Sequence, residues 1–361
     1  MKLKKITKRL NDVIPGGSHT YSRGFDQFSS NAPEILSKGK GCYIYDNQKR
    51  KILDYGMGLR AVNIGYAVNK IDQSAYRQIK NGNTLTRPSM IELEAAELMT
   101  KMIKSADMVK FTKNGSTAVT AAVKLARAYT GKNIILRCFD HPFYSYDDWF
   151  IGSTIIKKGI PKEVINLTKT FKYNDINDLK EKVKKYKNKI ACLVVEPAAT
   201  ACPKFQENQN CQNCSLSKCS NKYKKKYHFL KIVQKICKEN NIVFILDEMI
   251  TGFRWDIGGA QKFYGLDPDL STFGKAMANG FSLAAVVGKR KIMEMGSITK
   301  LNSERTFLLS TTHGAEMSAL GAFVETVKYL KKNNVIKKNW SYGEKLKKIF
   351  NDLSKSFGLE K

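Results

Sequence analysis

From residue 108 to residue 247 the chain repeats one pattern, a short apolar run followed by a stretch with helical spacing. The runs are Met108-Val109-Lys110-Phe111, Asn133 to Cys138, Ile190 to Val195 and Ile242 to Leu246. Between them, Ala118, Val119, Ala121, Ala122, Leu125, Ala126 and Tyr129 fall on one helical face that Gly131 should stop. A second helical region starts at Asn177-Asp178-Leu179-Lys180. A third places Phe229, Leu230, Ile232, Val233, Ile236 and Cys237 on one side. Strands that are apolar almost throughout must be covered on both faces, so the pattern predicts an α/β fold around a mostly parallel sheet with flanking helices. Such sheets hold ligands beyond the carboxyl ends of their strands. At 361 residues and 42% hydrophobic, the chain can bury one large domain and a smaller one.

Two of these strand ends carry chemistry. The Ile242 run ends in Asp247, and Lys275 follows 28 positions later in the small-residue turn Phe273-Gly274-Lys275-Ala276-Met277-Ala278. A strand-end acid followed by a lysine in a tight turn suits pyridoxal 5'-phosphate (PLP). The lysine forms a Schiff base with the cofactor, and the carboxylate keeps its pyridine nitrogen protonated so that the ring accepts electrons. Alone, the pair fits equally a solvated lysine near an acid that caps the next turn. A third element adds to it: Lys113-Asn114-Gly115-Ser116-Thr117 opens the first helix, where free amides and the positive dipole end at Gly115 and Ser116 form a phosphate cup. In isolation that motif is an ordinary Ser/Thr N-cap. The chain order of cup, acid and lysine is what makes the signal specific.

Further matches run from about Ile14 to Phe350. They include Pro15-Gly16-Gly17 with Arg23, Tyr43 to Asp46, Leu53-Asp54-Tyr55, Ala126 to Gly131, Val195-Glu196-Pro197, Asp247 to Arg254, and Thr311 to Gly314. By these residues the chain resembles the class III aminotransferases of PLP fold type I, most closely glutamate-1-semialdehyde 2,1-aminomutase and its relatives. The resemblance implies an N-terminal segment with part of the small domain over 1–75. A large PLP-binding domain would cover 76–305, with an insertion near 202–225. A return helix and a truncated small α+β domain would occupy 306–361. It also implies that Phe143 stacks on the cofactor ring in place of the family's aromatic-His-Gly segment, with core packing as the alternative. Glu196 would order hydrogen bonds near the ring or serve structure only. Thr312 would reach the cofactor phosphate of a neighbouring subunit, giving a homodimer with shared active sites, or would be a plain loop residue. Arg23 would hold a substrate carboxylate, as a guanidinium does by bidentate pairing, or be an ordinary surface arginine.

The activity implied is amino transfer on a small anionic aldehyde, ketone or amino acid. The alternative is the aminomutase reaction, which makes 5-aminolevulinate. Ser18 to Tyr21, Phe143-Tyr144-Ser145 and Glu316 depart from the aminomutase pattern, and family members usually continue past the point where this chain stops.

A net charge of +30 raises nucleic acid as a partner. The lysines are spread along the chain, as in Lys180 to Lys189, and do not gather into a patch with interleaved aromatics, so a small-molecule substrate is expected and nucleic acid is not. The positive field favours anionic substrates. No apolar stretch reaches the roughly 20 residues of a bilayer span, and the start lacks a signal-peptide core, so a cytoplasmic protein without membrane contact is expected. Four of the eight cysteines, Cys202, Cys211, Cys214 and Cys219, cluster in the polar insertion. They are either a tetrahedral metal set of non-standard spacing or plain loop cysteines. The site itself is expected to use no metal.

Overall fold

The computed structural model describes residues 4–198, 201–204, 228–299 and 304–359. A small antiparallel sheet comes first, built from β1 (Leu36–Lys40), β2 (Tyr43–Asp46) and β3 (Lys51–Leu53). The main sheet has seven strands: β4 (Met108–Thr112), β5 (Ile134–Cys138), β6 (Thr168–Phe171), β7 (Ile190–Val195), β8 (Val243–Asp247), β9 (Leu270–Phe273) and β10 (Ala284–Gly288). Their spatial order is β4-β10-β9-β8-β7-β5-β6. β6, β5, β7, β8 and β9 pair in parallel, while β10 runs antiparallel to both β9 and β4. The expected α/β fold with a mostly parallel sheet is therefore present, with one reversed strand that the apolar pattern does not reveal.

β7, β8, β9 and β10 are buried along their whole length, which follows from helices on both faces. Helix Gly115–Thr130 buries Ala118, Val119, Ala121, Ala122, Leu125 and Ala126 and ends at Gly131, whose φ of +68° is left-handed. On the other face, helix Phe229–Glu239 buries Phe229, Leu230, Val233, Ile236 and Cys237. Helix Met317–Lys332 returns across the fold and packs on helix Asn69–Lys80, where the Ser74 hydroxyl donates to the Gly321 carbonyl at 2.9 Å. Among the described residues no helix is long and apolar enough to cross a membrane. Cys202 is exposed; Cys211, Cys214 and Cys219 lie outside the described residues.

Candidate active site

The carboxyl ends of β4, β7, β8 and β9 converge on a cavity of about 280 Å³. Gly115, Ser116, Phe143, Glu196, Asp247 and Lys275 all line it, together with Ala61, Lys113, Tyr144 and Met249. Six of the sequence-derived positions are thus brought together. Arg23 and Thr312 are exposed and are not among the residues lining this cavity.

At the cup, the N-cap is Asn114 and not the serine or threonine. Its side chain accepts from the Thr117 amide at 2.9 Å, and the helical ladder starts with the Ala118 amide on the Asn114 carbonyl. That leaves the Gly115 and Ser116 amides without a partner among the described residues, at the positive end of a 16-residue helix. Ser116 Oγ accepts from the Tyr146 amide at 3.2 Å and keeps its own proton to give. Lys113, just before the cup, forms an ion pair with Glu316, whose other oxygen accepts from Asn83 Nδ2 at 2.7 Å. The Glu316 departure is therefore compensated, since a carboxylate here faces a lysine.

Asp247 is buried at the end of β8. One oxygen, Oδ1, accepts from the Met249 amide and from the Thr272 hydroxyl, both at 2.9 Å. Burial raises its pKa; the two hydrogen bonds and Lys275 oppose the rise. Glu196, 2% exposed, has no partner for Oε2, and burial followed by the nearby Asp247 pushes it up to about 8. The two carboxyls are close enough to compete for ionisation. Asp247, with two donors on one oxygen, is the one that stays charged, and Glu196 keeps the proton near neutral pH. Lys275 begins a short 3-10 turn with φ of +45°, and burial lowers its pKa against the pull of Asp247 and Glu196.

Phe143 is half exposed over the cavity, with its edge on Phe150 at 5.6 Å between ring centroids. Tyr144, its neighbour, is buried, and its hydroxyl lies 2.7 Å from His141 Nδ1. The Glu196 amide donates to the same nitrogen at 3.1 Å, so Nδ1 carries no proton. Burial holds His141 down to about 4, which keeps the ring neutral. Sequence reasoning did not single out Tyr144, His141 or Met249. His141 Nε2 and Glu196 Oε2 remain buried and unpartnered among the described residues.

The cavity offers two free helix amides, a serine hydroxyl, an anionic strand-end acid, an exposed aromatic face and a lysine of depressed basicity. That set fits PLP by its phosphate, ring nitrogen, ring face and aldehyde carbon, and it defines the class as a PLP-dependent transferase fold.

The class III aminotransferase family model matches residues 25–203 and 222–359, and the chain belongs to that family. Among curated relatives, glutamate-1-semialdehyde 2,1-aminomutase of Francisella philomiragia is 31% identical over 290 residues, covering 78% of this chain and 63% of that protein. The protein of the same name from Alkaliphilus metalliredigens is 32% identical over 300 residues, covering 81% and 64%. The chain thus spans slightly less than two thirds of the length of these relatives. Among solved structures, FumI of Sphingopyxis sp. MTA144, described as its PLP internal aldimine form, aligns with a TM-score of 0.82 and 26% identity over 98% of this chain and 79% of that one. An omega-transaminase from Sphaerobacter thermophilus aligns with a TM-score of 0.76 and 25% identity, covering 90% and 72%. PLP is the cofactor this family uses.

Proposed function

We propose that the protein transfers an amino group to or from a small anionic aldehyde, ketone or amino acid. The observation that carries this reading is the meeting of Lys275, Asp247 and the Gly115 amides around one cavity. PLP, when bound, supplies an electron-accepting ring. The protein's residues then have distinct tasks. Gly115 and Ser116 bind the phosphate by their amides and the serine hydroxyl. Asp247 holds a proton on the ring nitrogen, and its own charge is secured by the Met249 amide and the Thr272 hydroxyl. Phe143 covers the ring face. Glu196, protonated, is able to donate a hydrogen bond from the β7 side. Lys275 has its pKa lowered, so more of it is the free amine, and it moves a proton at the substrate carbon that bears nitrogen.

A second reading has support from the names of the curated relatives: the aminomutase reaction, in which the amino group moves within one molecule. The test is purified holoprotein with glutamate-1-semialdehyde and no second substrate. A transaminase stalls after one half-reaction; sustained 5-aminolevulinate would replace our first reading with the second. Wild-type turnover by Lys275→Ala would overturn both.

We infer also that Thr312, exposed on its own chain, serves the cofactor phosphate of a second copy, so that the working unit is a homodimer with shared sites.

A further inference from the structure

The segment from Asp54 to Tyr66 supplies one wall of the cavity through Ala61, and its backbone is unusual. Met57, Gly58, Leu59 and Arg60 have φ values of +49°, +56°, +57° and +66°, a full left-handed turn of which only one residue is glycine. L-residues resist that conformation, so it persists only where surrounding contacts over-determine it.

Three sets of contacts do so here. Asp54 takes the Gly56 amide at 2.8 Å on Oδ1, and the Gly58 amide at 3.3 Å and the Tyr66 hydroxyl at 2.5 Å on Oδ2. The Arg254 guanidinium donates to the Arg60 carbonyl and, at 3.1 Å, to the Ile250 carbonyl; the Arg254 carbonyl in turn accepts from Trp340 Nε1 at 2.7 Å. Asn279, at the end of the Lys275 turn, accepts the Asn63 and Ile64 amides at 3.0 Å each and donates to the Gly65 carbonyl at 3.0 Å. The strained turn is thus fastened both to the lysine turn and to the chain that leaves β8.

This rigid turn delivers Arg60. Its backbone is clamped, whereas its side chain is exposed and has no carboxylate within ion-pair distance among the described residues. The guanidinium charge reaches into the cavity, since it lowers both Glu196 and Lys275. The other cations there are committed: Lys113 to Glu316, and Lys275 to the chemistry. Arg23 does not line the cavity.

We propose that Arg60 is a specificity-determining residue that binds a carboxylate of the substrate at the cavity mouth, remote from the reacting amine. A planar guanidinium held at a fixed point matches a two-oxygen anion by paired hydrogen bonds. Strain in the turn serves to fix that point. The proposal rests on the amino-transfer reading for its substrate class, though the binding it describes is measurable without turnover.

The test uses holoprotein, with glutarate as an unreactive dicarboxylate titrated by calorimetry against wild type, Arg60→Met and Arg60→Lys. Arg254 holds only the Arg60 carbonyl, so both variants should keep the fold; an unchanged circular dichroism spectrum and unchanged cofactor absorbance check this. Glutarate should bind Arg60→Met about 10- to 100-fold more weakly, the range for losing one charge-assisted hydrogen bond, with partial rescue in Arg60→Lys. KM for L-glutamate as amino donor should rise in Arg60→Met with kcat little changed, and KM for propylamine should not move. Equal glutarate affinity in wild type and Arg60→Met would overturn the proposal, as would competition by inorganic phosphate but not by glutarate. If wild-type holoprotein accepts an amino group from neither donor, it is the amino-transfer reading that fails, and the titration still decides the role of Arg60.

Discussion

Replacing Glu196 with glutamine should remove a loss of stability that the cofactor-free protein suffers as pH rises. In the folded chain burial and the nearby Asp247 push Glu196 up to about 8, from an ordinary 4.5. A group whose folded-state pKa is raised holds a proton that the unfolded chain has already released. The stability it contributes is complete below about 4.5 and drains as pH climbs toward 8. Below pH 6.5 the effect is masked. His141 and His228 are both held down to about 4 by burial, so they lose stability in the opposite direction, as pH falls from 6.5. Above 6.5 the histidines are neutral in both states, and the falling limb belongs to buried carboxyls: Glu196, Asp247, and Glu248, which burial lifts to about 7. One proton gives a slope of at most about 1.4 kcal/mol per pH unit, so from pH 6.5 to 8 Glu196 alone is responsible for up to about 2 kcal/mol. Urea denaturation of wild type and Glu196→Gln at those two pH values measures it. Wild type should lose about 2 kcal/mol more than the variant across the interval. Equal losses would show that Asp247, not Glu196, carries the proton, and the assignment of charge within the site would fall.

Two other outcomes follow from the packing and the proposed assembly. Gly288 closes β10 beside β9, and an added Cβ would stand 2.5 Å from the Asp269 carbonyl and 2.4 Å from Leu270 Cδ2; Gly288→Ala should therefore cost about 1–3 kcal/mol in denaturation midpoint experiments while leaving cofactor absorbance intact. Thr312→Val should weaken PLP binding in the dimer without changing the stability of the chain, since Thr312 is exposed; active holoprotein that sediments as a monomer would rule out the shared site.

The sheet was legible because its information is local and repeated. The Ile190 to Val195 run is apolar at nearly every position, and all six residues are buried, which only a two-sided cover explains. Lys275 and Asp247 were legible as a pair because both follow strand ends, where chemistry in such sheets collects. Other features were not. Asn114 supplies the cap in place of Ser116 or Thr117, because the helix starts one residue earlier than the hydroxyls suggest. β10 is reversed because the Lys275 turn and Asn279 fold the chain straight back along β9. The left-handed turn at Met57 to Arg60 has no local signature beyond Gly58; Arg254 and Asn279, some two hundred positions away, impose it. Arg23 shows the converse: a motif drew attention to the residue, yet it sits on an exposed turn that is not part of the cavity wall.

How two segments far apart in sequence come to face one cofactor is explained by a single methionine. Met249 follows β8 directly and lies between the phosphate turn and the lysine turn. An added Cβ at Gly115 would stand 2.8 Å from its sulfur, and one at Gly274 would stand 2.3 Å from the same atom. Neither glycine is needed for its backbone angle; Gly274 has φ of −178°, which any residue adopts. Both are needed for closeness, because each lets a loop seat against the Met249 thioether, and the thioether is unbranched enough to fill the gap between them. The amide of that same residue donates to Asp247. One position therefore sets the spacing of cup, acid and lysine together, so a bulkier residue at 115 or 274 displaces the Asp247 hydrogen bond along with the loop it enters.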